Sequence, residues 1–166
     1  MLRHRLLQYF LIALFIITLI SCRPQVEPVR AIFALDTVCI ITLYDQARPE
    51  VYEEIFARIR EIESLMSAFL PDSDIARINA AAGITPVEVH DDVFMVIKRA
   101  VFHAEKSGGA FDPTIGPVVS LWGLGGADPQ VPSQEEIDAV LPLVNWQDIE
   151  LDRDRNTVFL RRPGMA

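Results

Sequence analysis

Apolar residues recur at spacings of three and four along residues 49–70. Val51, Ile55, Ile59, Ile62, Met66 and Phe69 form one row, and Glu53, Glu54, Arg58, Arg60, Glu61 and Glu63 fill the other face. That period predicts an amphipathic helix opened by Pro49, whose fixed φ suits a first helical turn. The same spacing returns in Val93, Phe94, Ile97, Ala100, Val101 and Ala104. It predicts a second helix, capped by Asp91 or Asp92 and stopped by Ser107-Gly108-Gly109. Between the two, Pro71-Asp72-Ser73-Asp74 breaks the pattern, with Asp72 or Ser73 placed to cap a short turn running to Asn79. Residues 31–44, rich in β-branched side chains, predict one well-buried strand, with Cys39 a small buried hydrophobe inside it. Ser133-Gln134-Glu135-Glu136 spells a capping box ahead of a short helix ending near Leu141. Residues 148–151 and 157–161 pair as a hairpin around Asp152-Arg153-Asp154-Arg155-Asn156. Strand, helix, helix, helix, strand, strand is the order of an α+β layered sheet-and-helix domain.

Residues 108–126 fit neither period. They read G-G-A-F-D-P-T-I-G-P-V-V-S-L-W-G-L-G-G and hold six of the chain's eight glycines, two aromatics and one charge, Asp112. Solvent loops are polar, and core strands are poor in Gly and Pro. A segment whose glycines allow close backbone approach, whose apolar residues want burial and which offers one carboxylate is composed like the wall of a ligand pocket. Gly123-Leu124-Gly125-Gly126 is not a phosphate loop: no Lys-Ser/Thr follows, and Asp128 breaks G-x-G-x-x-G.

The start of the chain changes the compartment. Arg3, His4 and Arg5 precede a mostly apolar run from Leu6 to Ile20, closed by Leu19-Ile20-Ser21-Cys22. Basic, apolar, small residue, cut is the order of an export signal, and the run is shorter than the roughly 20 residues that span a bilayer. Residues 1–21 are therefore expected to be a signal peptide, 22–30 a tether with two prolines, and 31–166 the domain. The final tetrad resembles a bacterial lipobox, in which Cys22 carries the lipid and anchors the protein to a membrane of the cell envelope, on its periplasmic or extracytoplasmic face. The formal net charge is −8, and loss of the leader with its two arginines deepens it by two. Such a surface repels nucleic-acid phosphates. With two cysteines, one of them lipidated, a disulfide framework is excluded, and His4, His90 and His103 have no metal-ligand spacing.

Two long motifs carry a resemblance. Gly109-Ala110-Phe111-Asp112-Pro113-Thr114-Ile115-Gly116-Pro117, continuing to Leu121-Trp122-Gly123, resembles the G-A-F-D-P-T-V-G-P-L-V…L-W-G-F signature of the FAD:protein FMN transferase, or ApbE, family. Upstream, Met66-Ser67-Ala68-Phe69-Leu70-Pro71-Asp72-Ser73-Asp74-Ile75-Ala76-Arg77-Ile78-Asn79 resembles the family's M-S-x-[YF]-x-P-x-S-E-[IL]-x-R-[IL]-N. Leu35-Asp36-Thr37 stands where the family has Met-Gly-Thr. The lipoprotein leader is similar to that of many members.

The resemblance implies an α+β fold of the ApbE type and an Mg²⁺-dependent enzyme. That enzyme cuts FAD at its pyrophosphate and transfers FMN to a Ser or Thr hydroxyl of a flavin-acceptor protein. In matched positions it implies FAD contacts at Phe69, Ala110, Phe111, Asp112 and Leu35, and a backbone carbonyl for the metal at Ala166. Arg162-Pro163-Gly164-Met165-Ala166 resembles the lead-in to the family's next motif. The expectation is accordingly an N-terminal portion of such a domain, truncated at its C-terminus and inactive by itself. A flavin-binding or scavenging lipoprotein without transferase activity is the alternative.

Overall fold

The computed structural model describes residues 28–45, 48–124 and 129–166. The signal peptide, Cys22, most of the tether and the pair Gly125-Gly126 lie outside the described residues. The chain divides into two compact units, Met1–Ala57 and Arg58–Ala166.

In the first unit, strands β1 (Val29–Ala34) and β2 (Thr37–Thr42) pair antiparallel, with Phe33 opposite Val38 and Ala34 opposite Thr37. The single buried strand expected over 31–44 is thus a hairpin. Its two-residue turn, Leu35-Asp36, has φ of 55° and 56°. Positive φ at both central residues is the hairpin turn that matches strand twist, and glycine or asparagine is its usual signal. Leu-Asp gave no such signal, so the turn was hidden inside an apolar run. The burial expectation also fails: Phe33, Val38 and Ile40 are 75%, 60% and 64% exposed. Cys39 is half-buried, and its thiol donates to the Ala34 carbonyl at 3.6 Å.

Helix α1 (Pro49–Met66) begins where expected and ends four residues early. Its buried residues in the first unit are Tyr52 and Phe56, one step round from the predicted row, while Val51 and Ile55 are half-buried. Arg30 lies 5.0 Å over the Tyr52 ring and pairs with Glu53 at 3.5 Å, which covers the more polar ring.

The second unit is built on a three-stranded antiparallel sheet. Its order is β3 (Val87–Glu88), β5 (Thr157–Leu160), β4 (Ile149–Asp152). The β4–β5 hairpin is the one expected from the sequence, with Ile149 opposite Leu160. Helices α2 (Asp74–Ala80) and α3 (Asp91–Lys106) supply the other layer. Ile78, Val87, Val89, Val93, Phe94, Val158, Leu160 and Met165 form its core. In α3, Val93, Phe94 and Ala104 are buried as the period required. Its cap is His90 rather than Asp91 or Asp92: His90 Nδ1 accepts from the Asp92 N–H at 3.2 Å, leaving the two carboxylates in the first turn beside the positive end of the helix.

The 66–79 motif has a structural reading in these contacts. Ser73 caps α2, accepting from Ala76 N–H at 3.0 Å, and its hydroxyl donates to the Ser67 carbonyl. The buried Asp74 carboxylate accepts from Arg77 at 2.5 Å and from the His90 N–H at 2.6 Å. Arg77 also reaches the Glu88 carbonyl at 3.0 Å, so one carboxylate joins α2 to the β3–α3 link.

Helices α4 (Gly116–Ser120) and α5 (Gln134–Val140) complete the unit. The capping box at Ser133 forms as its spelling required: Glu136 accepts from the Ser133 hydroxyl at 2.7 Å and its N–H at 2.8 Å. The hydroxyl contact, then the N–H, holds the Glu136 carboxyl below its ordinary value. A lowered value means the contribution is complete above the ordinary glutamate range and is lost as pH falls through the lowered one. NMR titration of the Ser133 and Glu136 amides is expected to show the box opening on that acid side. Amides unchanged through the range would contradict it.

Candidate functional site

The pocket-wall segment starts where α3 stops. Gly108 and Gly109 have φ of 63° and 86°, and the Gly109 N–H reaches back to the Ala104 carbonyl at 2.9 Å. Only glycine takes two such residues in succession cheaply, so the sequence turns sharply here. Ser107 holds the next stretch, its hydroxyl accepting from the Phe111 N–H at 3.1 Å. Ala110 is exposed and the Phe111 ring is 49% exposed.

Asp112 then closes the loop on itself and on a distant segment. One oxygen, Oδ1, accepts from the Thr114 N–H at 2.9 Å and from the Thr114 hydroxyl at 2.7 Å. The other, Oδ2, accepts from the Trp146 N–H at 2.9 Å. Thr114, 2% exposed, accepts in turn from the Asn145 N–H at 2.8 Å. Two adjacent amides of the 144–148 turn are therefore clasped by the motif loop. Beyond them, Asp148 accepts from the Asn145 side chain at 2.9 Å and pairs with Arg162, whose guanidinium also reaches the Pro142 carbonyl at 2.6 Å.

The last residues are brought to the same place. Gly116 N–H donates to the Ala166 carbonyl at 3.3 Å. A Cβ on Gly116 would sit 2.8 Å from that oxygen, so only glycine allows the approach. Met165 is buried at 1% exposure and fixes the segment in the core. Ala110, Phe111, Asp112 and Ala166 are thus joined through one loop, α4 and the 161–166 segment. Phe69 sits on the turn between α1 and α2, 78% exposed. Leu35 lies in the first unit, at the positive-φ turn of its hairpin.

This arrangement offers an aromatic face, exposed backbone and apolar side chains at Ile115 and Val119, which suit a flat aromatic ligand. The Asp112 carboxylate is spent largely on internal donors. A magnesium shell needs several oxygens in near-octahedral array. Among the described residues no three of His, Cys, Asp and Glu converge on a point that would hold a metal ion. The described residues do not complete such a shell by themselves. A surface hollow of about 180 Å³ lies at the start of α3, lined by Asp91, Asp92, Phe94, Met95 and Arg153, with none of the expected site residues in it.

Thr114, Asn145, Trp146 and Arg162 carry the site without having been singled out. Thr114 and Arg162 lie inside quoted motifs. Asn145 and Trp146 had no local signal, since their partners Thr114 and Asp112 are distant in sequence.

A fold of this kind is found in known proteins. The sequence model of the ApbE family matches residues 35–166. An FAD:protein FMN transferase of Treponema pallidum is 36% identical over 146 residues, covering 82% of this chain and 40% of the relative. One from Klebsiella pneumoniae is 37% identical over 111 residues, covering 67% and 35%. The crystal structure of an ApbE protein from Thermotoga maritima superposes with a TM-score of 0.73 at 28% identity, covering 82% of this chain and 45% of that one. The flavin transferase ApbE of Vibrio cholerae gives 0.70 at 25% identity. The chain belongs to the ApbE family. It spans 35–40% of the length of these two curated relatives.

Proposed function

We propose that this chain is the FAD-binding part of a flavin transferase, which moves FMN from FAD to a Ser or Thr hydroxyl of a target protein. The observation that carries the reading is the Asp112-clasped loop, which holds Ala110 and the half-exposed Phe111 ring on a rigid turn in a chain whose relatives are named FAD:protein FMN transferases. Ala110, Phe111 and Asp112 form one wall of the flavin pocket, and Phe69 and Leu35 belong to the reading as FAD contacts through the resemblance alone.

In the transfer, the acceptor hydroxyl oxygen bonds to the FMN-side phosphorus. The P–O bond to the AMP side breaks, the hydroxyl proton leaves to solvent or base, and AMP departs. The work of such a site is holding the two reactants in line. Mg²⁺ dependence, with the Ala166 carbonyl as one ligand, belongs to the reading through the resemblance alone.

The test incubates the protein with FAD, MgCl₂ and a flavin-acceptor protein. Covalent flavin fluorescence on the acceptor in a denaturing gel is the expected result. Intact FAD with no AMP released would replace transfer with flavin binding or scavenging.

In the same reading, the resemblance to a lipobox has a lipid on Cys22 hold the protein to a membrane of the cell envelope, on its periplasmic or extracytoplasmic face. Cys22→Ala is expected to abolish palmitate labelling and to move the protein from the membrane to the soluble fraction. Labelled, membrane-bound Cys22→Ala would remove the anchor from the reading.

A further inference from the structure

Trp146 places its side chain beside the motif loop. Its main chain is fixed there, since its N–H donates to Asp112 Oδ2 at 2.9 Å and the neighbouring Asn145 N–H donates to Thr114. Its side chain is fixed there too: a Cβ built on Gly109 would lie 3.8 Å from the indole Nε1. The ring edge therefore runs along the backbone that leads into Ala110 and Phe111. Gly109, at φ 86°, keeps that side of the loop free of any side chain.

Trp146 is half-buried, and among the described residues no acceptor takes its indole N–H, which stays open to solvent. An accessible indole N–H on a partly packed ring is a donor available to a ligand. Phe111, two residues beyond Gly109, exposes half of its ring. We propose that Trp146 is a further flavin-binding residue, whose indole offers its N–H and one face to a planar ring of FAD beside Gly109. Asp112 is then a positioning residue for it, acting through the Trp146 main chain. This inference rests on the FAD reading above.

FAD affinity of the 166-residue chain, followed by flavin fluorescence polarisation, tests it. Trp146→Phe keeps most of the packing and removes the donor, so binding is expected to weaken about three-fold with little change in melting temperature. Trp146→Ala removes the face as well and is expected to weaken it roughly ten-fold. A second measurement separates ligand contact from packing. The chain has two tryptophans, so a ¹⁵N-labelled sample shows two indole N–H peaks, and Trp146→Phe identifies one of them. That peak is expected to move downfield as FAD is added. If the chain binds FAD but the peak stays still and both variants bind as tightly, Trp146 is only structural and the FAD reading stands. If the unaltered chain binds no FAD, both fall together.

Discussion

Asp112→Ala is expected to lower the unfolding free energy of the second unit by about 3 kcal/mol and to weaken FAD binding at least ten-fold. The carboxylate satisfies three donors: the Thr114 N–H and hydroxyl, and the Trp146 N–H. Alanine leaves all three without this acceptor, next to a Thr114 that is 2% exposed, and each buried unsatisfied group costs about 1–3 kcal/mol. Water reaching the half-buried Asp112 position keeps the total below the sum. Asp112→Asn is the informative comparison. Its oxygen serves Thr114, but its amide then faces the Trp146 N–H, donor against donor, so it is expected to fall between alanine and the unaltered protein. Urea midpoints at constant slope, with flavin polarisation beside them, measure both effects. Unchanged midpoints would mean that the clasp contributes nothing. Lost stability with unchanged FAD affinity would keep the clasp and remove the pocket wall.

Gly83→Ala is expected to cost about 3 kcal/mol or more, for two separable reasons. Gly83 has φ of 72°, where an L side chain costs about 1–2 kcal/mol. The added Cβ would also lie 2.4 Å from Pro163 Cδ and 2.5 Å from Pro163 N, and overpacking of this kind costs about 1–3 kcal/mol. Gly108→Ala separates the terms. Its φ of 63° is similar, but nothing lies within 4 Å of the added carbon, so only the conformational cost of about 1–2 kcal/mol remains. Equal thermal midpoints for the two variants would remove the Pro163 contact from the account. The loss at Gly83 also bears on the site, because Pro163 leads into Met165 and the Ala166 carbonyl that meets Gly116.

What was legible in the sequence was local. The Ser133 box, the β4–β5 hairpin and the buried row of α3 each follow from side chains within a few residues of one another. The motif loop was legible as a segment apart from helix and strand because glycine, proline and aromatic residues crowd into it. What escaped has two physical causes. Some elements lacked their usual residue: the first hairpin turns on Leu35-Asp36 with no glycine, and α3 is capped by His90 with two better-known cappers beside it. Other features need partners far along the chain. The bonds from Asn145 to Thr114 and from Trp146 to Asp112 span 31 and 34 residues, and no local pattern announces them. The two-residue strand β3 is paired by tertiary context as well, and is too short to show a period.

The hydrogen bond from Gly83 N–H to the Leu160 carbonyl, at 2.7 Å, has a consequence for behaviour in a crowded compartment. Strand β5 runs past the end of β3, and a carbonyl left open there would invite a strand from another molecule. Gly83 occupies it, and the charged Glu150 and Asp152 stand along the outer strand β4 on the sheet's other side. That carbonyl is thus closed to a foreign strand by a single amide, while β4 on the other side carries the Glu150–Arg161 and Asp152–Arg155 ion pairs in place of apolar side chains.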